Sequence, residues 1–202
     1  MKQCPPVPAI QRLLRDKSGT SLVEFALVAP TLLLVIMGIF DVSYTMYTAT
    51  QLQGAVQKAA RDSTLEDGYT NMVAIDARVT TAVHELSSTA DITFDRKSYS
   101  NFSNVAQPED WTDSDGNGVC DDGEAFEDVN DNGSWDADMG ASGLGGARDA
   151  VLYTVTIEYD RAFPLGKMIG LPPRQQTVAS TVLRNQPWTT QSTAPPAVGS
   201  CT

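Results

Sequence analysis

The chain has one histidine and three cysteines, and only 14 basic residues against 25 acidic ones in its 202 residues. A single histidine, His84, gives no confident Ser/His/Asp set, and Cys4, Cys120 and Cys201 lack zinc-ligand spacing. Phosphate-cradling glycine loops and haem motifs are also missing, so the chain does not read as an enzyme. The net charge of −11 disfavours nucleic acid as a partner, because phosphate backbones would repel such a body, and favours divalent cations.

The scarce basic residues are unevenly placed. Met1–Gly19 carries Lys2, Arg12, Arg15 and Lys17 against Asp16 alone, which leaves −14 on everything after it. From Leu22 to Phe40 the sequence reads LVEFALVAPTLLLVIMGIF, with Glu24 its one charge. At 1.5 Å per residue this run spans roughly 28 Å, close to the hydrocarbon thickness of a bilayer. Basic residues on its N-terminal flank and Asp41 beyond its other end predict a cytoplasmic N-terminus and an exported body. A cleaved secretory signal is the alternative, but the run exceeds the roughly 7–15 residues of a signal core and no small-x-small site follows it. Pro30 removes one backbone hydrogen bond, a loss that a membrane helix tolerates. Met46, Thr50, Leu52, Ala55, Val56 and Ala59 then keep helical spacing, which extends one helix over 20–63.

After an Asp67-Gly68 turn, Met72, Ile75, Val79, Val83 and Leu86 predict a second, amphipathic helix over 71–87, with His84 on its surface. Val151, Tyr153, Val155, Ile157 and Tyr159 alternate with polar residues, the most secure strand signal in the chain. Asp91–Tyr99 alternates weakly, and Thr177–Arg184 returns after a loop over Phe163–Pro173, giving a small antiparallel sheet. The expected organisation is a basic leader (1–19), the long helix (20–63), an exported domain (64–186) and a Pro/Thr-rich tail (187–202). That tail has no periodicity and is expected to stay extended, with only a bond at Cys201 to pin it. Removal of the leader would leave Cys120 and Cys201 as an even pair, either bridged outside the membrane or present as free thiols.

Residues 109–138 hold 12 of the acidic residues and no basic one. Asp113, Asp115, Asn117, Gly118, Val119, Asp121 and Glu124 fall at positions 1, 3, 5, 6, 7, 9 and 12 of an EF-hand-type loop, where oxygen atoms wrap Ca²⁺. Asp128, Asn130, Asn132, Gly133, Ser134 and Asp136 repeat the spacing, but Met139 stands at the twelfth position, with Asp138 the nearest acid to substitute. Helix-forming flanks are absent, so the repeat resembles the helix-poor calcium loops of exported proteins. One or two structural ions are expected within an acidic loop insertion at 109–140, the alternative being a solvated loop without metal.

The junction Arg15-Asp16-Lys17-Ser18-Gly19-Thr20-Ser21-Leu22-Val23-Glu24-Phe25 resembles a prepilin processing site, and Thr20–Arg61 is similar to the TadE family of minor pilins from tight-adherence (Flp, type IV) pilus systems. The resemblance covers about a fifth of the chain and is silent beyond Arg61. It implies cleavage between Gly19 and Thr20 by a prepilin peptidase, and a role for Glu24, fifth residue of the shortened chain, in meeting a neighbouring subunit's amino terminus. It also implies a single-pass inner-membrane protein whose partners are other pilins and the assembly machinery, with the domain periplasmic or in an extracellular pilus. The fold expected overall is α+β and pilin-like: a long transmembrane N-terminal helix, a second amphipathic helix and a small antiparallel sheet with a calcium-binding insertion. A membrane-anchored, calcium-dependent adhesin outside any fibre is the rival function; an exported hydrolase using the acidic loop is a remoter one.

Overall fold

The computed structural model describes residues 19–63, 71–121, 123–163, 170–187 and 195–202. The leader residues up to Ser18, the Asp67-Gly68 turn, Asp122, the middle of the Phe163–Pro173 loop and part of the tail lie outside the described residues.

Helix α1 runs unbroken over Thr20–Ser63, with Pro30 inside it. It is long and apolar enough to cross a membrane, and none of its most apolar window is buried by the rest of the protein. Only beyond that window does a face become covered: Thr48, Leu52, Val56, Ala59, Ala60 and Ser63 are buried. Spacings of three and four residues place them on one stripe, the pattern of a helix docked along one side. Helix α2 (Met72–Leu86) answers with Ile75, Val79 and Val83, all about one turn apart.

Strands β1 (Asp91–Tyr99), β2 (Ala125–Asp128), β3 (Ala141–Ser142), β4 (Ala150–Asp160), β5 (Arg174–Arg184) and β6 (Ala197–Ser200) form two sheets. The larger has the order β3-β1-β4-β5, and the smaller pairs β2 with β6. All pairings are antiparallel, with Asp91 opposite Glu158 and Tyr99 opposite Ala150 at the two ends of β1. The strict alternation of β4 puts Tyr153, Val155, Ile157 and Tyr159 on the face against α1 and α2, where Ala179 joins them. At roughly 2 kcal/mol for each large side chain taken from water, this seam is the main cohesion of the domain.

Polar contacts fix the register of helices on sheet. Asp76 of α2 receives both Arg96 of β1 and the Tyr153 hydroxyl, while the Arg96 guanidinium lies 4.3 Å over the Tyr153 ring. Tyr44 donates to the Leu86 carbonyl at 2.9 Å, and Gln53 donates to the Ser180 carbonyl at 3.2 Å. Near the apolar half of α1, Asp41 pairs with Arg161 at 2.6 Å. The β4–β5 end of the sheet therefore lies beside the apolar half of α1, and the acidic insertion between β1 and β4 leaves from the opposite end. Eleven residues of β4 separate them, roughly 35 Å at strand rise.

The tail departs from its expectation. Ala197–Ser200 forms β6 and pairs rung by rung with Ala125–Asp128, so backbone hydrogen bonding holds the tail as well as any bond at Cys201. Four residues are too short for a readable alternation, which is why the sequence pattern did not reveal the strand.

Candidate functional site

At the start of α1, Gly19 occupies a turn and its carbonyl accepts from the Val23 amide at 3.2 Å, so the helix begins at the Gly19-Thr20 junction. Glu24 lies one turn beyond Thr20 on the same side of the helix. Its neighbours Leu22, Val23, Phe25 and Leu27 are 64% to 81% exposed. An exposed carboxylate in such apolar surroundings is costly in lipid unless a cation meets it.

The first acidic loop folds around its own carboxylates. Asp113 accepts from the amides of Gly116, Asn117 and Gly118, Asp115 from Asn117, and the Asn117 side-chain oxygen from Val119. Gly116 and Gly118 adopt positive φ of 78° and 77°, a left-handed conformation that closes the turn with no Cβ penalty. Glu124, buried, reaches back to the amides of Ser114 and Asp121. Oxygens of Asp113, Asp115 and Glu124 thereby come within 4.8 Å of one another. The Asn117 amide nitrogen bonds to both Asp115 and Asp121 and supplies partial positive charge among these acids.

The second loop repeats most of this ladder. Asp128 accepts from Asn132 and Gly133, Asn130 from the Asn132 amide, and Asn132 from Ser134, while the Asn132 side chain bonds to Asp136. Asp131 and Gly133 repeat the positive φ values, at 58° and 80°. The acid that closes this loop is not Asp138. That carboxylate is engaged by Lys97 at 2.7 Å and the Tyr99 hydroxyl at 2.9 Å on β1. Burial works against its ionisation, but the bonds from Lys97 and Tyr99 hold its pKa below the ordinary value. Glu109 takes the closing place instead, accepting from Val129 at 2.8 Å and Asp136 at 3.0 Å. These are the second and ninth positions, the same two amides that Glu124 holds in the first loop. Glu109 is completely buried. It precedes both loops, so spacing read forward from Asp128 passes it by; an orphan acid beside Trp111 was the only sequence signal.

The loops are tied together by the strand between them. Strand β2 begins one residue after Glu124 and ends on Asp128, so it joins the twelfth position of one loop to the first of the next. On one side it pairs with β6; on the other, Trp111 bridges Phe126, with Thr112 and Glu127 amides bonded across. Trp135 packs edge-on against Trp111 at 5.2 Å and donates to the Glu109 carbonyl at 2.9 Å. Beyond β6, Cys201 exchanges backbone bonds with Gly123 and Glu124, and its Cα lies 5.5 Å from that of Cys120 in a disulfide.

The donor set here is all oxygen: carboxylates, side-chain amides and backbone carbonyls. Each carboxylate that accepts an amide hydrogen keeps lone pairs for a cation, and hard oxygen ligands suit Ca²⁺ over zinc. The residues therefore fit such an ion, with Asp113, Asp115 and Glu124 the most convergent group among the described residues.

Among the described residues, the class the fold defines is one N-terminal apolar helix of membrane-spanning length leading into a small α+β domain with a second helix and an antiparallel sheet. Its N-terminal segment is TadE-like, residues 19–61 matching the family model of TadE-like proteins. The match is confined to the N-terminal helix and its entry, about a fifth of the chain. No curated protein and no solved structure matches the chain.

Proposed function

We propose that the protein is a minor pilin, or a membrane-anchored assembly component, of a tight-adherence type IV pilus system, and that a distal module ordered by Ca²⁺ shapes its exported end. The observation that carries the first part is the coincidence of the TadE-like match with the processing motif: the match begins at Gly19, α1 begins at Thr20, and Glu24 follows one turn on. Cleavage at Gly19 by a prepilin peptidase frees an ammonium at Thr20. In an assembly of parallel helices the ammonium of one subunit offsets the buried Glu24 of the next, and helix packing supplies the remaining contact area. The protein sits as a single span in the inner membrane, with the leader cytoplasmic and the domain periplasmic or carried into a pilus.

The duplicated ladder supports the calcium reading. Asp113, Asp115, Asn117, Val119, Asp121 and Glu124 would hold one ion, and Asp128, Asn130, Asn132, Ser134, Asp136 and Glu109 a second. Bound calcium supplies positive charge to an acid-rich insertion that otherwise repels itself, so its part is structural. Glu24→Ala separates this function from the adhesin alternative. Loss of pili with the protein still present supports a pilus role. Unaltered pili with calcium-dependent adhesion still traced to this protein contradict it.

A further inference from the structure

The β4–β5 end of the domain carries apolar surface that the core does not use. Phe163 lies 6.1 Å, ring to ring, from Phe40, which is itself 57% exposed. Leu171 follows Gly170, whose φ of 77° sets the turn, and stays 43% exposed. On α1 the apolar surface does not stop at Asp41 either, because Val42, Met46 and Tyr47 are all more than half exposed. Asp41 is the first acid after the apolar run, and Arg161 neutralises it; their side chains are only 14% and 13% exposed. Arg161 also donates to the Pro172 carbonyl at 3.1 Å, and its amide donates to the Pro173 carbonyl at 3.1 Å. One arginine thus ties the two ends of the β4–β5 connection to the helix where the helix leaves its apolar stretch.

We infer that this end is an interfacial foot, resting in the headgroup–acyl boundary of the outer face of the bilayer through Phe40, Phe163 and Leu171. The inference rests on the membrane-span reading of α1. If Leu22–Phe40 fills the hydrocarbon core, a ring 6.1 Å from Phe40 is at the boundary with no freedom to be elsewhere. Phe and Leu side chains bury at the headgroup–acyl boundary, and an ion pair already closed within the protein costs less there than a lone Asp41. Among the described residues of this end, Arg174 is taken by Asp91, Glu158 and Asp160. The three side chains of the foot, Phe40, Phe163 and Leu171, are uncharged, so the attraction assigned to them is to the apolar boundary. Its consequence is orientation: the sheet stands upright, with the acidic module at the far end and away from lipid phosphate.

The test uses the full chain carrying Cys4→Ser in nanodiscs of zwitterionic lipid, with an environment-sensitive fluorophore on Leu171→Cys, on Gln107→Cys in the distal module, or on Val28→Cys within the span. The expected result is several-fold stronger quenching of the Leu171 label than of the Gln107 label by lipids spin-labelled near the headgroup. Quenching by a water-soluble nitroxide should show the reverse order. A Leu171 label as water-accessible as the Gln107 label overturns the foot. If deep spin-labelled lipid still quenches the Val28 label in that case, the span reading survives alone; a Val28 label open to water overturns the span reading too. A Leu171 label shielded from water, silent to lipid quenchers and transferring energy between subunits would assign the surface to a second copy and overturn the lipid assignment.

Discussion

Glu109 and Glu124 occupy equivalent places in two copies of one loop, each accepting from the amides at the second and ninth positions, although one precedes its loop and the other ends it. The duplication predicts two calcium ions per chain. Isothermal calorimetry on the detergent-solubilised protein should give two sites in the range of about 0.1–1 mM. Glu124→Gln and Glu109→Gln should each remove one site and leave the other. Retention of two sites in Glu109→Gln would show that the second loop does not use it.

Calcium should also stabilise the fold by mass action. At a hundred times the dissociation constant, one site contributes about 2.7 kcal/mol, which a thermal melt with and without chelator reads directly. Asp138→Asn should leave this calcium increment intact, because Asp138 serves Lys97 and Tyr99.

Asp76→Ala should be among the most damaging single changes in the domain. It strands Arg96, whose side chain is 11% exposed, and removes the acceptor of the Tyr153 hydroxyl. Breaking a buried pair from one side costs about 3–5 kcal/mol, and the partial exposure of Asp76 brings the expectation to about 2–4 kcal/mol in urea unfolding.

Burial, and then the Asp138 hydrogen bond, push the Tyr99 hydroxyl up to about 12 from 10.0. The folded state therefore holds this proton after the unfolded chain has lost it. The contribution is complete below about pH 10 and drains away as pH rises through about 12. Unfolding midpoints of wild type and Tyr99→Phe should converge across that interval; parallel alkaline profiles would contradict the assignment.

Cys120 and Cys201 are separated by 81 residues, and the chain-entropy model gives a bridge of that span about 4.5 kcal/mol. Cys201→Ser should lower stability toward that limit and release β6 from β2, which hydrogen exchange at Ala197–Ser200 would register. Gly199→Ala should disturb the same pairing with the cysteines intact, because the added Cβ meets the Phe126 ring.

Much of this architecture was legible in the sequence where one periodicity ran long enough. Val151 to Tyr159 alternates over a full strand, and Leu52, Val56 and Ala59 mark the buried stripe of α1. The turn of the first loop was legible because the acids and glycines that shape it fall in one twelve-residue stretch. Glu109 was not, since its role depends on backbone amides brought to it by folding. Strands β2 and β6 were hidden for a related reason: each is four residues long, and their pairing joins the acidic insertion to the tail. The Asp41–Arg161 pair is likewise non-local, set by how the β4–β5 end meets α1.

The central claim is pilin-type processing of a TadE-like chain, and the most direct test is the intact mass of the protein extracted from membranes of cells with and without prepilin peptidase. The account predicts a chain beginning at Thr20 when the peptidase is present and one retaining Met1–Gly19 when it is absent. An unshortened chain in both would contradict it and leave α1 as a plain anchor.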